Sequence, residues 1–321
     1  MTHIILQDQD VERRFSAMAA LFISEMDEPS SEESLREEYS RDKDIILHLK
    51  GAEDPAGRML GFTWVTRSRL SPQRAYLYLI VPPEFRRQGV GSLLLQDAEQ
   101  TVRAAGVQEF EATVLDDCLE GLAFLRARDF VEKYHQLGMS LDLNDFDKAD
   151  YDALIARLKT DGFVFTSMEA LGNTEDAQRK LFVLNDTTSS QTVGASGEHA
   201  WDSFEDFQSK VCSADWYIPA GQMVAIDSMT GNWAAMSAIT RFTGKDYAYN
   251  LFTGVDERYR GRRLGTAVKV LALRYARDVL KAKKVRTHHN AANEPMLAID
   301  RLLGYTLRRG YYTMQKRFSF T

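Results

Sequence analysis

The chain has 321 residues, the length of two domains at roughly 150 residues each. Hydrophobic residues make up 44% and charged residues 27%, enough to bury cores, and a net charge of −6 argues against a surface for nucleic acid. Only Cys118 and Cys212 occur, which excludes a disulfide framework and a zinc-ligand spacing. With no leader-like N-terminus and no apolar run near the ~18 residues of a membrane span, a cytoplasmic chain is expected.

In chain order, Ser30, Ser31, Glu32 and Glu33 read as a helix cap with acids in the first turn, inside an acidic stretch from Glu25 to Glu38. Ala75–Val81 is rich in aromatic and branched residues and predicts a strand. Next comes Arg86-Arg87-Gln88-Gly89-Val90-Gly91-Ser92, and then a helix whose stripe is Leu94, Ala98 and Val102, stopped at Gly106. A strand over Phe110–Val114, a short helix and a terminal strand pair complete this unit. The polar segment after Leu143 and a short connecting helix over Tyr151–Leu158 mark a boundary, placed between residues 1–145 and 146–321.

Asp161-Gly162 opens a second unit with the same order. Its polar, aromatic segment Gly194–Phe207, with Trp201 and Trp216, is a candidate wall for an acceptor. Tyr247–Val255 predicts a strand, and Arg260-Gly261-Arg262-Arg263-Leu264-Gly265-Thr266 repeats the loop. Leu264, Val268, Leu271, Tyr275 and Val279 form the stripe of the next helix, and Val285–His289 predicts the next strand. Val81 and Val255, Arg86 and Arg260, and Gly91 and Gly265 are each 174 positions apart, while Met139 and Met314 are 175 apart. A constant offset through loop, helix and strand makes the chain two copies of one unit.

A strand that ends in an Arg/Gly loop running straight into a helix suits an anion. First-turn N–H groups lack intrahelical partners, the helix dipole adds positive potential, and glycines let the backbone come close. The order of glycines fits neither G-x-x-x-x-G-K-[ST] nor G-x-G-x-x-G. These residues resemble the acyl-CoA pyrophosphate loop of the GNAT N-acetyltransferase superfamily, and the whole chain resembles a tandem GNAT of the mycothiol synthase type. The resemblance implies an α/β (α+β) fold of two tandem GNAT domains. Each would be a mixed, splayed, mostly antiparallel sheet flanked by helices, with acetyl-CoA as acyl donor and no metal. The implied contacts to the donor are Val81, Arg86, Arg87, Gln88, Gly89, Val90, Gly91 and Ser92 in the first copy. In the second they are Thr253, Val255, Arg260, Gly261, Arg262, Arg263, Leu264, Gly265, Thr266, Asn290, Asn293 and Met296.

The copies have diverged. The second carries Asn290, Asn293 and Gly304-Tyr305, which resemble the second GNAT signature, although Asn293 and Gly304 also suit helix caps. The first has Asp117, Cys118 and Asp129 instead, whereas Arg263 stands where the first copy has Gly89. Many GNATs place a tyrosine acid where this chain has Asp300 and Leu125. Tyr249, His288 and Asn290 are the candidate catalytic residues, His288 and His289 facing opposite sides of their strand. The expected function is transfer of acetyl to the amine of a small molecule by the C-terminal unit, the N-terminal unit binding CoA or being structural. The alternative is a non-catalytic acyl-CoA sensor or scaffold. No nucleic-acid partner is expected, and the chain would be a monomer or homodimer.

Overall fold

The structure, a computed structural model, describes residues 5–8, 11–25, 31–69, 71–144, 146, 151–192, 200–242 and 245–319. In chain order the elements are β1 (Ile5–Asp8), α1 (Val11–Glu25), α2 (Glu32–Asp42), β2 (Ile46–Glu53), β3 (Met59–Arg67), β4 (Arg74–Ile80), α3 (Val90–Ala104), β5 (Glu109–Leu115), α4 (Leu119–Arg126) and β6 (Val131–Asp142). There follow α5 (Tyr151–Thr160), β7 (Phe163–Ser167), α6 (Glu175–Ser190), α7 (Phe204–Phe207), β8 (Gln222–Asp227), β9 (Trp233–Thr240), β10 (Ala248–Val255), α8 (Leu264–Asp278), β11 (Lys284–Asn290), α9 (Glu294–Leu303) and β12 (Thr306–Arg317).

Two compact units divide the chain: Met1–His135 with Tyr311–Thr321, and Gln136–Gly310. In the first unit the strands run β1-β2-β3-β4-β5, and Tyr311–Arg317 of β12 pairs antiparallel with β5. In the second they run β7-β8-β9-β10-β11, and Gln136–Asp142 of β6 pairs antiparallel with β11. Each sheet is therefore finished by the strand that follows the other copy's short helix. The units divide ten residues earlier than the boundary read from polarity at 145, and the chain's last strand returns to the first unit. Met139 and Met314, matched in sequence, are correspondingly buried in opposite units.

Within each sheet one parallel pair sits among antiparallel neighbours, β4 with β5 and β10 with β11. Helices cover both faces. In the first unit α3 and α4 pack over Val65, Leu77 and Phe110, while α1 and α2 cover Phe62 and Trp64 on the other face. In the second, α5, α8 and α9 share one core and α6 and α7 the other. Tyr151, Leu154, Ile155 and Leu158 of α5 are buried in that core, so the helix read as a connector is structural.

The apolar periodicity explains the central helices. Leu94, Ala98 and Val102 of α3 are buried as expected, and Gly106 (φ 73°) ends the helix. On α8 the buried face is broader than the expected stripe, covering Leu264 to Val270, Ala272, Leu273 and Ala276. Val279 lies beyond the helix end and is 60% exposed. Small residues there let the helix sit close to β9, and a stripe chosen by side-chain size overlooks them.

Candidate active site of the second unit

The parallel pairing of β10 with β11 stops at Tyr249 opposite Arg286, although both strands continue. Beyond that pair the strands part. The carbonyl of Asn250, one residue past that pair, accepts from the Thr287 hydroxyl at 3.0 Å. A bulge between Asn250 and Phe252 breaks the register with β9, leaving Leu251 as the extra residue. Buried Asn250 secures the kink: its amide donates to Ala238 O at 2.8 Å and Ser237 Oγ at 3.1 Å, and its Oδ1 accepts from Thr253 at 3.3 Å. β4 pairs with β3 without a shift and has no such bulge.

Past the splay, β10 leads through a single turn at Glu257–Tyr259 to the loop and α8. Gly261 (φ 78°) and Arg263 (φ 65°) adopt left-handed conformations, as do Arg87 (φ 61°) and Gly89 (φ 89°) in the first unit. Each loop thus needs two left-handed residues and uses one glycine and one arginine, in opposite order. Arg263 in place of a glycine keeps the backbone shape. The second glycine of each loop serves packing: a Cβ on Gly265 would lie 3.1 Å from Val255 and 3.4 Å from Ile299, and one on Gly91 3.4 Å from Phe124. Neither helix has a side-chain cap, so its first N–H groups are left for a ligand.

The loop residues divide by task. Arg86 Nε donates to Val81 O at 2.9 Å and Arg260 Nε to Val255 O at 3.2 Å, so both arginines clamp the strand end. Arg260 also donates to Gln191 Oε1 at 2.6 Å, and Gln88 to Glu84 O at 2.9 Å. Arg87 and Arg263 are exposed; Arg262, exposed too, lies 5.8 Å from the rings of Phe163 and Tyr259. Val90, Leu264 and Thr266 are buried, and Ser92 accepts from Arg128 at 2.6 Å. Thr253 is buried in the Asn250 cluster.

On β11, Asn290 Oδ1 accepts from Ala292 N at 2.9 Å in a turn, and Asn293 Oδ1 caps α9 through Met296 N at 3.4 Å. Gly304 (φ 92°) closes α9. Tyr249 Oη and His288 Nδ1 lie 2.7 Å apart, their rings stacked. A cleft of about 470 Å³ at the end of β10 is lined by Arg179, Leu184 and Thr187 of α6, Trp233 and Asp256 to Arg258. Of the expected acceptor wall, residues 194–199 lie outside the described residues; Trp201 Nε1 donates to Asn185 at 2.8 Å.

The opposite face holds a group the sequence reading passed over. Lys269 of α8 and Asp300 of α9 are fully buried and ion-paired, and Asp300 Oδ2 lies 2.7 Å from His289 Nε2. Burial alone would raise the Asp300 carboxyl, but the Lys269 ammonium and His289 hold it below the ordinary carboxylate range. Burial pushes Lys269 down. The Lys269 ammonium lies 5.0 Å from the centre of the Tyr305 ring, whose Oη is buried without a partner among the described residues and is driven well up by burial. The signal was available: Leu297, Asp300 and Leu303 form one apolar stripe with a charge in the middle, and Lys269 interrupts Ala267-Val268 and Val270-Leu271.

A profile of the Acetyltransferase (GNAT) family matches residues 15–130. Among solved structures, a GCN5-related N-acetyltransferase from Sphaerobacter thermophilus superposes with a TM-score of 0.73 at 16% identity, covering 99% of this chain and 97% of that one. The chain has the tandem GNAT fold. A tandem GNAT protein from the clavulanic acid biosynthesis pathway gives 0.71 at 17%, covering both chains fully. The GCN5-related glucosamine N-acetyltransferase region of a fungal β-N-acetylglucosaminidase gives 0.76 at 17%, over 98% of this chain and 38% of that one. No curated protein matches by sequence. Among the described residues no helix is long and apolar enough to cross a membrane, and no side-chain cluster is arranged to hold a metal.

Proposed function

We propose that the protein is an acetyl-CoA-dependent N-acetyltransferase acting on the amine of a small molecule, with the chemistry in the second unit. The observation that carries this is the parting of β10 from β11, with a bulge beside it and uncapped helix amides at its mouth. Bound there, acetyl-CoA would supply an activated acyl group. The amides at the start of α8, with exposed Arg262 and Arg263, would hold its diphosphate, and the free edge of β10 would orient the thioester arm. The hydrogen-bonded pair joins Tyr249, the last paired residue of β10, to His288, two residues past the last pair on β11, and would take the proton that the amine must lose.

The first unit repeats the loop, the uncapped helix and the parting, β4 leaving β5 after Leu77 opposite Ala112, but not the bulge or the Tyr249–His288 pair. Register places Tyr76 and Thr113 where the second copy has Tyr249 and His288. Its outer face near β4 is filled by its own aromatics: Phe22 stacks edge-on to Tyr78 at 5.3 Å, and Tyr39 to Trp64 at 6.3 Å. This supports a binding or structural role there. Thiol release from acetyl-CoA over an amine library tests the proposal. Turnover that falls at least tenfold in Tyr249→Phe and His288→Gln is expected, and silence across all amines with CoA still bound would overturn it. That silent outcome is also what the acyl-CoA sensor reading requires, a reading favoured by Asp300 at the site of the usual tyrosine acid.

A further inference from the structure

We infer that His289, anchored by Asp300, is the proton donor to the sulfur of the departing coenzyme A. The inference rests on the function proposed above and adds a residue to it. His289 lies three positions past the last residue of β11 that pairs with β10, on the stretch that borders the splay. Its side chain turns to the face of α8 and α9, opposite the Tyr249–His288 pair. Nε2 is taken by Asp300 at 2.7 Å. Nδ1 has no partner among the described residues, and the side chain keeps 12% of its surface open. A wholly structural histidine in a packed interface satisfies both ring nitrogens.

The second carboxylate oxygen of Asp300 is bound by Lys269, and both are fully buried, so the carboxylate cannot swing away. Asp300 and Lys269 are positioning residues: they fix a hydrogen on Nε2, which leaves Nδ1 as the reactive atom. In the imidazolium form both nitrogens carry protons. As the amine nitrogen bonds to the acyl carbon, the carbon–sulfur bond breaks and its electron pair leaves on sulfur. The Nδ1 proton of His289 passes to that sulfur, the amine's proton goes to the Tyr249–His288 pair, and solvent returns it to His289. The first copy has nothing equivalent: Leu95, Val114 and Leu125 stand at the positions of Lys269, His289 and Asp300, at offsets of 174 or 175, and Leu95 and Leu125 are buried in an apolar core.

The test is calorimetric binding of CoA and of desulfo-CoA to the full chain, alongside turnover. Wild type should prefer CoA about tenfold, the size of one charge-assisted hydrogen bond. His289→Gln, whose amide reaches the Asp300 oxygen but offers nothing at the Nδ1 position, should reduce that preference to within twofold and leave desulfo-CoA binding unchanged. Equal binding of the two ligands by wild type, a comparison that needs no variant, would overturn the inference, as would full preference in His289→Gln. Preference for CoA without any acetyl transfer would sink the proposed function and leave the sulfur's partner standing. Turnover without preference would do the reverse.

Discussion

Cutting the chain at the apparent sequence boundary should destroy the second unit, whereas cutting it at the unit boundary should not. A fragment of residues 146–321 keeps both β10 and the candidate site but lacks Gln136–Asp142, which pairs with β11 at every position from Lys284 to Asn290. It also loses Met139, Leu141 and Leu143, which are 1%, 2% and 2% exposed in the core over α8. At about 1.5–3 kcal/mol for each fully buried aliphatic side chain, the loss is roughly 5–9 kcal/mol before any backbone pairing is counted. That matches the whole stability of an ordinary domain, about 5–15 kcal/mol. The same fragment carries Met314 and Phe318 away from the core they serve in the first unit. A fragment of residues 136–310 retains every strand of its sheet. Urea unfolding followed by near-UV circular dichroism should give a cooperative transition for 136–310 and none for 146–321. A cooperative transition for 146–321 at the midpoint of 136–310 would refute the assignment of β6 to the second sheet.

Lys269→Met should destabilise by about 3–5 kcal/mol, since it strands a buried carboxylate, and Asp300→Leu added to it should recover much of the loss. In the wild type the depressed Asp300 contributes stability above the unfolded value near 4 and loses it as pH falls; without Lys269 burial raises the group. The deficit measured by urea unfolding should therefore grow from pH 4 to pH 7, and a constant deficit would count against the pairing. Arg263→Gly should raise stability by about 1 kcal/mol, because a side chain at φ 65° is strained where glycine is not. If the same change weakens CoA binding, charge and not loop shape is what the arginine supplies. Burial pushes the Cys212 thiol up to about 11, so at pH 8 only about one in a thousand is thiolate. Iodoacetamide labelling read by mass spectrometry should find it nearly inert, and labelling at the rate of an ordinary exposed thiol would contradict the burial.

How much was legible in the sequence follows from the range of the physics involved. Strands, loops and caps were readable because local residues decide them: branched and aromatic runs for β4 and β10, Asn293 and Gly304 for the ends of α9. Compared position by position, Arg263 in place of Gly89 is a divergence between the two loops. The dihedral angles turn out to be the conserved quantity between copies, with Gly261 taking the part of Arg87. Strand exchange was not readable, since β6 and β12 have the same pattern whichever sheet they complete, and pairing is decided by contacts more than a hundred residues apart. The Lys269–Asp300–His289 group fell between the two cases. Its charges sit on apolar stripes, a local anomaly, but only the fold brings three elements to one point.

The comparison between copies carries a sharper argument than either copy alone. A buried ion pair with a histidine is an expensive way to hold two helices together, and the first unit does the same structural task with Leu95, Val114 and Leu125. If packing were the only demand on this position, apolar residues would serve the second unit equally well, and those residues are what its sister uses. The bulge follows the same logic: β4 reaches its loop without one, whereas in β10 buried Asn250 and Thr253, with Ser237 of β9, stabilise a kink beside the open strands. Both departures reach the two strands that line one splay, through Asn250 and Thr253 on β10 and His289 on β11. Polar groups placed where a repeat of the same fold does without them set the second unit apart, and on that difference rests the proposal that the chemistry lies between β10 and β11 rather than between β4 and β5.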